Sequence, residues 1–349
     1  MPDNTTDNTE AVVTGIPDAK VQAVTERVVR EFQLAADKVA AHHGGPVKFP
    51  MPTDGSATEH LLARRFAQLP AGHQKEAAAR VVADLGNAAA RSKRLGDLTK
   101  VDLRSPTPVE AQVRALPFPD GLKFPAGELR KSPAISAPQR VQEAAAEQLT
   151  KLELRIQQVT CLDDTSELGA DEIDAAGVSV DESGDTKKVP AFRVRSFRTG
   201  DVQKYTPPRQ FTFFSLTEGT VQFPKSYFVT LALAEEDWGG FDDFLNELLA
   251  KVKTEVVAAI AAAIGGAIGS PGGPIGIVIG IAVGWAVTEI FEYLKSTWGD
   301  ELFLPVTVSA VIPSLTSRWT GKPDSPEHTV KYTGHGGSYQ LVYDWRMYK

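Results

Sequence analysis

Apolar residues recur along this chain at two different periods, and the change of period divides it. Val21, Val24, Val28, Val29, Phe32 and Ala35 fall on one helical stripe, which predicts a helix over residues 19–42 ended by His42-His43-Gly44-Gly45-Pro46. A second helix is expected from Ser56 to Gln68, with Ser56 as its cap and Glu59 completing a capping box. An Ala-rich helix is expected from His73 to Arg94, with Arg91, Lys93 and Arg94 at the end that favours cations. Residues 100–139 carry Pro106, Pro108, Pro117, Pro119, Pro125, Pro133 and Pro138, a density that predicts an extended linker or strap without helix. A short helix from Pro138 to Leu149 leads onward.

From Lys151 the period becomes two. Leu152, Leu154 and Ile156 alternate with Glu153, Arg155 and Gln157, and a second strand is expected over 173–180 with a bulge at Ala176-Gly177. Further strands are expected at 190–198, 210–217, 226–234, 302–312 and around Tyr339–Trp345, which suggests an antiparallel sandwich. The fold class is therefore α+β. A tail (1–18, disordered) precedes a helical domain (19–99), a Pro-rich linker (100–139) and a β-sandwich domain (140–349), into which residues 239–298 are inserted as a helical hairpin.

That hairpin begins amphipathic, with Phe241, Phe244, Leu245, Leu248, Leu249, Val252 and Val256 on one stripe. Charge then vanishes: Val256 to Thr288 is 33 residues without Asp, Glu, Lys, Arg or His. Ser270-Pro271-Gly272-Gly273-Pro274 must break the helix and leave two apolar arms. Gly276, Gly280 and Gly284 repeat at four-residue spacing, and Ala261, Gly265 and Gly269 form a matching ridge, with Trp285 beside them. Each helical glycine costs about 1 kcal/mol relative to alanine, so several on one face predict a close approach of two backbones, here a zipper between the arms. Each uncharged arm is shorter than the roughly 20 residues that cross a hydrocarbon core, so a buried hairpin is the competing expectation.

The pattern over residues 241–298 resembles the hydrophobic helical hairpin of pore-forming colicins and the glycine-rich hairpins of other membrane-active bacterial toxins. The β-rich surroundings differ from the all-helical colicin pore domain. The resemblance implies a pore-forming or otherwise membrane-inserting effector with a lipid membrane as partner. The alternative is a soluble binding or assembly module in which the hairpin is core or the interface of a homo-oligomer.

Composition adds limits. The chain has 349 residues, 42% hydrophobic and 23% charged, with net charge −7. That balance argues against a general nucleic-acid binder without excluding a local basic patch. The single cysteine, Cys161, rules out an intrachain disulfide and reads as a buried small hydrophobe. The acidic, polar start lacks the basic and apolar regions of a secretory signal, so synthesis in the cytoplasm is expected, with any export by a non-classical or injection route. Nine acids stand between Asp163 and Asp185 with no basic residue among them. With Glu235, Glu236, Asp237, Asp242 and Asp243 they resemble the acidic loops of calcium-binding C2-type sandwiches. Ca2+ is the cofactor this resemblance implies, with Asp163, Asp171, Glu236 and Asp237 as ligands. No GxSxG, P-loop or HExxH motif is present and the six histidines are scattered, so no catalytic residue is assigned and no enzyme is expected.

Overall fold

The computed structural model describes residues 7–129, 147–165, 169–219, 223–235, 240–266, 268, 274–299, 303–334 and 336–349. The chain opens with a short strand, β1 (Thr9–Val12), followed by α1 (Ala19–Gly44), whose first turn is capped by Asp18 accepting from the amides of Lys20 and Val21 at 2.9 and 3.1 Å. Then come α2 (Thr58–Phe66), α3 (Ala71–Gly86), α4 (Ala88–Leu95), α5 (Val109–Ala115) and α6 (Ala126–Leu129). The β region runs through β2 (Lys151–Asp163), β3 (Asp171–Val180), β4 (Thr186–Phe197), β5 (Val202–Ser215) and β6 (Lys225–Glu235). The hairpin helices α7 (Phe241–Ile264) and α8 (Pro274–Trp298) follow, then β7 (Val306–Ile312), β8 (His328–Gly334) and β9 (Gly337–Tyr348).

Two antiparallel sheets form the expected sandwich, one ordered β1-β7-β6-β3-β4 and the other β5-β2-β9-β8. Every residue of β6 is buried, because helices cover the face of its sheet that points away from the sandwich. Tyr227, Val229, Leu231 and Leu233 join the core between the sheets, while Phe228, Ala232 and Ala234 join a second core shared with the helices. The hairpin helices lie on this outer face, and α1 lies across them. The sequence from Ile16 to Leu129 contributes to the same second core, so the helices are a covering layer of the sandwich rather than a separate domain.

Four expectations change. Residues 9–12 are not a disordered tail: they form the edge strand β1, Thr9 opposite Val311 and Val12 opposite Val308. Side chains hold it there, with the Trp319 indole N–H donating to Glu10 and Ser317 Oγ to Asn8 at 2.6 Å. The Pro-rich segment does contain helix. Its prolines bracket α5 instead of interrupting it, and Pro108 at the entrance suits a helix start. The strap expectation otherwise holds, with Val101, Leu103, Val109, Val113 and Phe124 buried against the helical layer. The Ser56–Glu59 capping box is not made, because Ser56 bonds to Asp54 and Glu59 turns inward. Instead α2 and α5 cap each other: Glu110 accepts from Thr58 N and Oγ1 at 3.2 and 2.6 Å, and Glu59 accepts from Val109 N at 2.9 Å. The Ala-rich helix is split at Asn87, whose side chain caps α4. Most of the helix expected over 138–149 lies outside the described residues. The bulge in β3 is present against β4, between Ala175 and Gly177, while pairing with β6 is regular.

Candidate functional site

The hairpin sits where its sequence pattern finds apolar neighbours on two sides. Phe244, Leu245, Leu248, Leu249, Val252 and Val256 of α7 are buried, as are Ile277, Ile279, Val283, Val287, Ile290 and Leu294 of α8. Gly280 and Gly284, however, face the sheet and not the other arm. A β-carbon on Gly280 would stand 2.1 Å from the ring of Phe228, and one on Gly284 would stand 2.7 Å from Thr307. Both therefore bring the α8 backbone against β6 and β7 of the sheet. Gly265 has φ +72° and ends α7, its amide bonding back to Ala262, while Ala261, Gly276 and Trp285 are half-buried. Gly269 lies outside the described residues. Spacing identified a face that demands close approach; the partner is a sheet, which sequence periodicity cannot name.

β6 and β7 are hydrogen-bonded neighbours, Leu231 opposite Val306, and the hairpin leaves one and returns to the other. Among the described residues no strand intervenes. The hairpin is an excursion whose removal would break no strand pairing.

Polar ties fasten the helical cover to it. Asp37 of α1 accepts from Tyr293 Oη of α8 at 2.5 Å and from Arg94 at 2.6 Å, and Arg94 also donates to Tyr293 at 2.8 Å. Arg114 of α5 pairs with Glu255 of α7, and Arg64 of α2 with Glu247. Arg80 reaches the carbonyls of Ser296 and Thr297, and Phe124 N donates to Ala263 O at 3.0 Å. Burial raises the Asp37 carboxyl above its ordinary range despite Arg94. It raises Glu31 of α1 further, with the charge of Glu255 adding to the effect. Glu31 lines a cavity of about 160 Å³ between α1, α5 and α7.

Of the four expected calcium ligands, only Asp163 and Asp171 lie among the described residues. Asp171 is buried and accepts from Thr165 N and Oγ1, both at 2.8 Å, and from Tyr339 Oη. It is committed to pinning the loop before β3. Asp163 is exposed, and Glu236 and Asp237 lie outside the described residues. Among the described residues no three His, Cys, Asp or Glu side chains are placed to hold a metal. Neighbouring acids find protein partners: Asp181 caps its own turn through Ser183 and Asp185, Asp174 bonds Arg193, and Asp242 and Asp243 share Lys188. Cys161 is buried and desolvation raises its thiol pKa, which disfavours the thiolate.

One surface was missed from sequence. Where β4 and β5 form the open edge of the sandwich, cations lie over aromatic rings: Arg209 over Phe192 at 3.8 Å, Lys187 over Phe213 at 4.3 Å and Lys151 over Phe213 at 4.9 Å. Phe213 is 41% exposed and Val202 36%. Residues 186–209 hold seven Lys and Arg against one acid, Asp201, a local excess that the overall charge concealed.

No protein-family model matches the chain, and no curated protein or solved structure matches it significantly.

Proposed function

We propose that this chain is a membrane-active protein that stores an apolar hairpin in water-soluble form, beneath a helical cover, and delivers it to a lipid bilayer. The observation that carries this reading is topological. The hairpin is inserted between two adjacent strands, so it can swing away while the sandwich core stays paired. Within it, Ile275–Trp298 of α8 has the length and hydropathy of a membrane span, 24 residues at 1.8. The basic, aromatic edge of β4 and β5 suits an anionic bilayer surface and would bring the protein there first. Departure is opposed by the sheet face it would bare, including Phe228, Val178 and Val180. Each such side chain costs roughly 1.5–3 kcal/mol when fully exposed, so lipid contact by the hairpin must offset it.

The test is release of a trapped dye from anionic vesicles, with co-sedimentation measured alongside. Leakage that grows with protein concentration is expected. Binding without leakage would leave a surface-docking protein; neither would overturn the reading.

A second reading has its own support. Gly280 and Gly284 are fitted to Phe228 and Thr307, and most of the α8 span is buried, as in a helix that belongs permanently to a soluble fold. On that reading the chain is a soluble binding or assembly module. Its hairpin resists proteolysis in the presence of vesicles as well as without them.

A further inference from the structure

We propose that the cavity between α1, α5 and α7 is a binding site for a small primary ammonium compound with a short apolar body, its cation paired with Glu31. This site stands on its own geometry and does not require the hairpin to leave the fold.

The cavity is about 160 Å³, with Val113, Leu116, Phe118 and Ala259 giving it apolar walls. Glu31 is only 6% exposed, yet among the described residues it makes no hydrogen bond or ion pair. A buried carboxyl without a partner is costly, and native structures rarely leave one without a reason. The other charges around it are already committed. Arg27 of α1 donates to Asp97 at 3.1 Å and lies 5.5 Å from the centre of the Phe118 ring. Arg114 of α5 holds Glu255 of α7. Glu110 of α5, the remaining acid that acts on Glu31, is spent on Thr58. Arg27 and Arg114, whose charges also act on Glu31, are each engaged by another acid, so a cation would meet a carboxyl that neither of them bonds. An ammonium is compact, carries three donors and matches that vacancy better than a planar guanidinium in so small a space.

Burial, with the charge of Glu255 adding to it and those of Arg27 and Arg114 opposing it, raises the Glu31 carboxyl well above its ordinary range. Pairing with an ammonium requires the carboxylate, so binding releases to solvent whatever proton Glu31 carries. Affinity therefore rises with pH through the raised Glu31 value.

The experiment is calorimetric titration of the full chain with n-butylammonium, at mildly acidic and mildly alkaline pH, in two buffers of different ionisation enthalpy. One saturable site is expected, tighter at the higher pH, with a buffer-dependent heat that reports proton release. The isosteric alcohol and carboxylate, n-butanol and butyrate, should bind at least about tenfold more weakly. Glu31→Gln should lose binding by a similar factor while melting no lower than the wild type. Ala262→Trp at the exposed rim should block the mouth without touching the core. Absence of saturable binding at millimolar ligand, equal binding of n-butanol, or unchanged affinity in Glu31→Gln would each overturn the proposal.

Discussion

Replacing Gly280 by alanine sets two effects of opposite sign against each other. Alanine is the better helix former, by about 1 kcal/mol in a helix interior. Yet the new methyl would stand 2.1 Å from Phe228 Cε2 and 2.5 Å from Cδ2 and Cζ, where ordinary contact begins at 3.4 Å. The Phe228 ring, 3% exposed and enclosed in the second core, must retreat by more than an ångström, or α8 must lift from the sheet. Overpacking of this kind costs typically 1–3 kcal/mol, occasionally more, and a clash with a ring edge on a rigid strand belongs at the upper end. The net expectation is destabilisation by about 1–2 kcal/mol. Urea unfolding followed by intrinsic fluorescence measures it, with Gly72→Ala as the control. Gly72 lies in α3 with nothing within 4 Å of its would-be β-carbon, so there only the propensity gain remains. If Gly280→Ala matches or exceeds the wild type, the glycine is not there to admit Phe228, and the account of α8 docking fails. If it destabilises and also speeds dye release from vesicles, the stored-hairpin reading gains. Destabilisation with no release under any condition favours the permanently soluble fold.

Lys225 is buried at the start of β6 and donates to Glu182 at 3.0 Å and to the carbonyls of Leu216 and Glu218 at 2.9 and 2.8 Å. Lys225→Met should cost about 3–5 kcal/mol in urea unfolding by stranding Glu182, and the added change Glu182→Gln should restore much of it. Glu110→Ala removes the cap that α5 gives α2 and should cost about 1 kcal/mol, read as a lower urea midpoint. For pH dependence, Glu31 and Asp37 have folded pKa values raised above their ordinary ones. Such groups give a stability that is fully present below the unfolded pKa and lost as pH rises through the folded value. Urea midpoints should therefore rise as pH falls from neutral toward the ordinary carboxylate range, and Glu31→Gln should flatten that rise. A midpoint that instead falls over this interval refutes the assignment.

Much of the architecture is legible in the pattern of apolar positions. The strands β2, β7 and β9 follow period-two runs, and α1, α7 and α8 follow stripes. What escapes is set by partners distant in sequence. β1 is four residues long and half polar; it is a strand only because β7 presents an open edge and Trp319 and Ser317 hold its side chains. Glu59 looks like a local cap three residues from Ser56, but the amide it serves belongs to Val109, fifty residues on. The acidic loops invite a cation when read alone, and their neutralising groups, Lys188 and Arg193, lie on the next strand.

The hairpin shows the same limit in its sharpest form. A helix covered by a sheet on one side and another helix on the other needs no charged face, so two-sided burial alone accounts for much of its missing charge. Small residues at four-residue spacing need a close neighbour, and Phe228 and Thr307 supply one without a membrane. What those facts leave unexplained is position: the apolar element interrupts two adjacent strands and is tied to its cover by polar groups, the buried Asp37 with the half-buried Arg94 and Tyr293, rather than by apolar contact alone. Burial outweighs the pull of Arg94 and Tyr293 on Asp37, so protonating Glu31 and Asp37 adds to the stability of the covered form even though it neutralises the Asp37–Arg94 pair. A release mechanism that relied on neutralising Glu31 and Asp37 would thus run against the sign of their own titration. If the hairpin opens as proposed, the free energy must come from a partner that binds the open form, and for the uncharged stretch from Val256 to Thr288 the partner with the matching chemistry would be hydrocarbon.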